Sequence, residues 1–76
     1  MKELIEYIAK SVVDHPEDVR VEEEWRGRNR VVIRLTVHED DMGRVIGRGG
    51  RVAQTMRQLL KVAAARHQAR ASLEIG

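Results

Sequence analysis

The sequence predicts an α+β fold in the order helix, strand, strand, helix, helix, strand, with a three-stranded mixed sheet and three helices on one face. Three observations carry that expectation. The chain opens on apolar residues at helical spacing. Two alternating runs follow around a short turn that contains glycine. A glycine-rich stretch, Val45 to Val52 (VIGRGGRV), then splits a helical pattern in two before a last alternating run. At 76 residues the chain reads as one small domain, residues 1–76, with a modest core.

The first helix rests on Leu4, Ile5, Ile8, Ala9, Val12 and Val13, which form one stripe at a period of 3.6 residues. It should end near Asp14, because Pro16 disfavours helical geometry at His15. Val19, Val21, Glu23 and Trp25 then alternate with Arg20, Glu22 and Glu24. The turn Arg26-Gly27-Arg28-Asn29 separates this run from Val31, Ile33, Leu35 and Val37, which alternate with Val32, Arg34, Thr36 and His38. The two runs read as an antiparallel hairpin with one apolar face. Asp40 or Asp41 is expected to cap a short helix through about Ile46. A longer helix runs from about Gly50 to His67, with Val52, Met56, Leu59, Leu60 and Ala63 as its apolar stripe. Ala71, Leu73 and Ile75 alternate with Ser72 and Glu74 in a final strand. A connection through two helices places that strand parallel to its neighbour.

Composition narrows the function classes. There is no cysteine, so there is neither a disulfide nor a thiolate metal site. No apolar run approaches the roughly 18 residues that span a bilayer, and the amphipathic start lacks a signal-peptide core. A soluble, cytoplasmic protein is expected. Charge is divided unevenly: residues 1–25 carry a balance of −5 and residues 26–76 a balance of +7. Most of the cations are arginine, which suits a polyanion-facing side. The other reading of the arginines is a general compositional bias.

The glycines lie between two helices rather than after a strand. Gly47-Arg48-Gly49-Gly50 makes a Gly-x-x-Gly turn with a helix starting directly behind it. Free N–H groups at a helix start, absent Cβ atoms and the flanking Arg44, Arg48 and Arg51 suit an extended phosphodiester chain. A P-loop would need Lys-Ser or Lys-Thr after the turn, and a dinucleotide fingerprint would need a preceding strand; neither is present. The alternative is a helix–helix corner that needs positive φ angles and nothing more.

The stretch resembles the signature of the K-homology (KH) domain, VIGxxGxxI, with Ala53 at the position of the last Ile and Val52 beside it. The element order is similar to the type II arrangement. The opening LIEYIAKSVVDHPEDVRV and the central DDMGRVIGRGGRVAQTMRQLL resemble the KhpA family of small bacterial KH proteins over essentially the whole chain. The resemblance implies a cytoplasmic single-stranded RNA-binding protein and RNA chaperone that grips about four nucleotides. It also implies homodimerisation, pairing with a larger KH-containing protein called KhpB (Jag), and roles in cell envelope and division control.

The RNA-binding residues expected on this basis are Arg44, Ile46, Gly47, Arg48, Gly49, Gly50, Arg51 and Val52. Ile46 and Val52 would line the groove floor; Val52 reads equally well as core. Neither catalytic residues, a metal site nor a cofactor is expected. The run His38 to Asp41 is explained by helix capping, and His15 and His67 read as isolated helix-end residues. Tyr7 and Trp25, the two aromatics, lie away from the loop, so bases would be held by aliphatic packing. A competing class is an interaction subunit that dimerises and presents the loop to a protein partner.

Overall fold

The computed structural model describes residues 1–47 and 50–76; Arg48 and Gly49 lie outside the described residues. The elements are α1 (Lys2–Val12), β1 (Arg20–Arg26), β2 (Arg30–Thr36), α2 (Met42–Ile46), α3 (Arg51–Ala65) and β3 (Arg70–Ile75). Short 3-10 turns at Pro16–Asp18 and Glu39–Asp41 lead into β1 and α2. The predicted order and α+β class are present. Helix α1 stops two residues earlier than expected, because Val13 already has extended φ and ψ angles.

The sheet order is β1-β2-β3, with β1 and β2 antiparallel and β2 and β3 parallel. Gly27, in the hairpin turn, has φ of +72°, a left-handed conformation open to glycine at no steric cost. Val31, Ile33 and Leu35 of β2 alternate toward the helices and are buried. They pack with Ile5 and Ala9 of α1, Val45 of α2, and Met56 and Leu60 of α3. The central strand therefore carries the core, and the helices cover one face of the sheet. Arg34 and Thr36 are exposed on the other face, as alternation requires.

Helix α3 buries a different stripe from the expected one. Ala53, Met56, Leu60 and Ala64 are buried, whereas Leu59 is 43% exposed and Val52 and Ala63 are half-buried. At 100° per residue the buried stripe is turned by about 60° from the expected one. Alanine at both ends of the stripe removes bulk, so the helix lies close to the sheet, and Leu59 is left on the flank. The helix closes with Ala69 N–H donating to Ala64 O and with Gln68 in a left-handed conformation at φ +54°.

Two truncations check this orientation. Leu60→Ala should cost about 2–5 kcal/mol in a denaturant melt, as a buried leucine does. Leu59→Ala should cost no more than about 0.5 kcal/mol. Equal losses would restore the expected stripe.

Candidate nucleic-acid interface

Helix α2 has only five residues and cannot hold its own position. It is fixed at its start by a buried carboxylate. Asp41 is 1% exposed and, among the described residues, is the one buried charged side chain. It occupies the N-cap position of α2 but makes no cap hydrogen bond. Its oxygens instead accept from the corner behind α1: Asp14 N–H at 3.1 Å, His15 N–H at 3.0 Å and His15 Nδ1 at 3.0 Å. The expected capping role is thus replaced by a long-range tie. Asp40 does not cap by its side chain either; its own N–H donates to His38 Nδ1 at 3.0 Å.

His15 is not isolated. Its ring stacks on that of His38, with centroids 4.1 Å apart and an angle of 16° between the planes. His15, His38 and Asp40 bring one possible metal-ligand atom each within 4.8 Å of one another. Each imidazole lone pair lies in its own ring plane, and nearly parallel planes do not converge on one ion. The rings would have to turn before they could chelate together. Burial alone would push the Asp41 carboxyl up, but the N–H of Asp14 and the ring and N–H of His15 hold it below its ordinary 3.8. The same bond to Asp41 lifts the His15 imidazole above its ordinary 6.5, against the desolvation of the ring.

The far end of α2 makes the glycine turn. Gly47 has φ of +32°, and a Cβ there would come within 3.1 Å of the carbonyl oxygens of Gly43 and Arg44. Gly50 has φ of +63°, with open space where a Cβ would stand, and its N–H donates to Gly47 O at 3.0 Å. Both glycines therefore meet a backbone requirement, and Gly50 also leaves open space outside. Gly50 is the N-cap of α3 and supplies no side-chain cap, so among the described residues no side chain caps the first N–H groups of α3.

The expected contact residues do not all stand alike, and Gly50 is half-buried at the start of α3. Ile46, Gly47 and Arg51 are exposed beside the turn, and Ile46 is 46% exposed. Arg44 is also exposed but pairs with Asp14 Oδ2 at 3.0 Å, a surface contact of little strength. Val52 faces α1 and shares a small hollow with Ile8, Val12 and Thr55; it does not lie among the residues that line the larger cleft below. Ala53, at the position of the last motif Ile, is buried. Arg48 and Gly49 lie outside the described residues.

The reading from sequence missed a cleft of about 720 Å³ between α3 and β3, walled by Arg57, Lys61 and Arg70 over Leu60, Ala71 and Leu73. Positions 50, 54, 57 and 61 follow the three- and four-residue spacing of one helix face. That row leads from the glycine turn to the cleft. Its sequence signal was Arg57 and Lys61 at i and i+4, which becomes a site only once β3 is known to run beside them.

Comparison with known proteins places the chain in a family. The family model described as KhpA/KhpB, KH domain, matches residues 2–75. The chain is 48% identical over 75 residues to RNA-binding protein KhpA of Halalkalibacterium halodurans, covering 99% of this chain and 97% of that one. It is 47% identical to RNA-binding protein KhpA of Clostridium perfringens, covering 99% of each chain. Against RNA-binding protein KhpA of Chlamydia pneumoniae the identity is 43%, with 99% and 95% covered. No solved structure matches. No helix among the described residues is long and apolar enough to cross a membrane.

The Asp41–His15 tie should appear in the pH dependence of melting. A raised imidazole stabilises fully below 6.5 and loses that contribution as pH rises through its folded value. A lowered carboxyl stabilises above 3.8 and loses its contribution as pH falls through its folded value. The expected maximum lies between those limits. His15→Gln should flatten the alkaline limb, and Asp41→Ala should lower the melting temperature by roughly 4–8 °C or more. An alkaline limb unchanged in His15→Gln would remove the tie as its cause.

Proposed function

The chain belongs to the KhpA/KhpB family of KH domains, and from that premise we propose that it binds single-stranded RNA through the glycine turn and the cleft beside α3. RNA-binding KH domains are a non-enzymatic class. The observation that carries the reading is the row from the uncapped start of α3 at Gly50 to the cationic cleft of Arg57, Lys61 and Arg70. Phosphates lie against the Gly47–Gly50 turn, with Arg44, Arg48 and Arg51 around them. Bases turn toward Ile46 and the apolar floor of the cleft. About four nucleotides fill one such clamp. Residues 1–76 act as one KH domain.

The same premise extends to RNA chaperone activity and post-transcriptional control in the cytoplasm, serving cell envelope and division, with a KhpB-like chain as partner. The support is the family resemblance and, for the partner, the pairing in the family's name. A second reading makes the protein a dimerising subunit whose loop region contacts protein. Leu59 at 43% and Val62 at 59% exposure, three residues apart on α3, favour a covered helix face. An RNA titration beside sedimentation at several concentrations separates the two readings, since only the first needs RNA binding and the second needs self-association without it.

RNA affinity should fall with salt, with a slope of roughly −2 to −3 for four phosphates at about −0.7 each. A salt-independent affinity would count against a phosphate clamp. A fully paired duplex should compete poorly with unstructured RNA of the same length, because the clamp follows one backbone with splayed bases.

Replacing Arg48 and Gly49 together by Asp adds two negative charges to the turn. Binding should drop far more than stability, since a strain of about 1–2 kcal/mol, the usual cost of a left-handed side-chain-bearing residue, leaves the chain folded. Normal melting with undiminished RNA affinity would dismiss the turn as the clamp.

A further inference from the structure

The sheet register places three arginines side by side on the face away from the helices. Arg26 stands directly opposite Arg30, and Arg30 directly opposite Arg70. Such partners share a face, so the row crosses all three strands, spanning about 10 Å over two interstrand spacings. The next arginine along that face is compensated: Arg34 Nε lies 3.1 Å from Glu74 Oε2, and Arg34 Nη2 lies 4.0 Å from Glu24 Oε2. At the row itself one shared carboxylate, Glu24, reaches Arg26 Nε at 3.4 Å. No ion pair among the described residues involves Arg30 or Arg70.

Like charges directly opposite weaken a sheet, and here they meet where the register is tightly held. Arg70 N–H donates to Asn29 O at 2.7 Å, which ties the start of β3 to the hairpin turn. The row rims a hollow of about 300 Å³ that includes Val32 and Ser72. Arg70, Ala71 and Ser72 line this hollow and also the α3–β3 cleft. Edge strand β3 is thus a ridge with a cationic cleft on one side and the arginine row on the other.

We propose that RNA leaving the α3–β3 cleft crosses β3 and sets its next phosphates on the Arg26–Arg30–Arg70 row, so that the footprint exceeds one loop clamp. The inference rests on the reading of the protein as a single-stranded RNA binder. Guanidinium groups take phosphate oxygens bidentately, and three of them across 10 Å suit a run of phosphates rather than one. Bound phosphates also cancel the repulsion within the row. An acidic protein segment would satisfy the charge, but the shared wall at Arg70 makes the row continuous with the RNA cleft.

The test uses a double variant, Arg26→Gln with Arg30→Gln, which leaves the turn, Arg57, Lys61 and Arg70 in place. Its affinity is measured across salt for single-stranded RNA of about four nucleotides, one clamp length, and of about twelve. Expected is an unchanged affinity for the short RNA. The long RNA should bind roughly tenfold more weakly, with a salt slope shallower by about 1.4 for two lost phosphate contacts. The melting temperature should hold or rise, because repulsion has been removed.

Equal affinity of wild type and variant for the long RNA overturns the proposal. So does an equal loss on both lengths, which would place the effect in the clamp or the fold. A changed sedimenting mass with unchanged RNA affinity would assign the row to a protein contact and overturn it as well. Failure of the wild type to bind either RNA would be a failure of the RNA reading itself, and the row would fall with it.

Discussion

Asp41 is a carboxylate shut away from water at the point where the corner after α1 meets the start of α2, and the position of the glycine turn depends on it. Burying a charge is unfavourable unless its hydrogen bonds are made. Here three donors, all from Asp14 and His15, make them. The exposed Arg44–Asp14 pair ties the same corner to the same short helix. Helix α2 is therefore held by Asp41 at its first turn and by buried Val45 in the core. Its last turn can then end on Gly47 in a conformation that a side chain would obstruct. The start of α3, and every N–H it offers, is placed by that chain of contacts.

Much of the architecture was legible because periodicity is a local property. Alternation in Val31, Ile33, Leu35 and Val37 reports the helix-facing side of the strand wherever it is placed, although Val32 on the other face is buried too, and the stripe in α1 does the same for a helix. The stripe of α3 was less legible. Residues 59 and 60 are both leucine, and sequence does not say which of two adjacent leucines faces the sheet. The answer lies in Ala53 and Ala64, whose small size lets the helix approach, and that fit belongs to the pair of surfaces. Asp41 was read as a cap because capping is local; the donors it serves lie 26 and 27 residues away in sequence.

The candidate site follows the same division. The glycine turn stands out in the linear sequence because its residues are contiguous. Arg57, Lys61 and Arg70 come together only when β3 returns beside α3, so the i, i+4 spacing of Arg57 and Lys61 does not by itself single out a site. The glycines were read mainly as room for a phosphate, and the left-handed angles at Gly47 and Gly50 add a second reason. The two reasons act at different atoms. At Gly47 a Cβ would crowd the end of α2, whereas at Gly50 the space is open, and there the absence of a side chain leaves the helix start approachable.

Electrostatics connects the turn to the rest of the surface. The acidic first third of the chain forms α1 and β1, and its carboxylates neutralise cations locally, as Glu24 does for Arg26 and Arg34 and Asp14 does for Arg44. The excess positive charge is left along α3, at Arg51, Arg57 and Lys61, and around the hairpin turn, at Arg28, Arg30 and the facing Arg70. Neither aromatic residue is among those lining the cleft beside α3. On the proposed reading, attraction to a polyanion there would depend on phosphate, with leucine and alanine facing the bases. Aliphatic contacts discriminate weakly among bases, since each presents a similar flat face. A surface of this kind gains affinity by contacting more phosphates rather than by reading more bases. On the proposed reading its strength would grow with the length of strand it can follow, and the path beyond the clamp would matter more than any one contact within it.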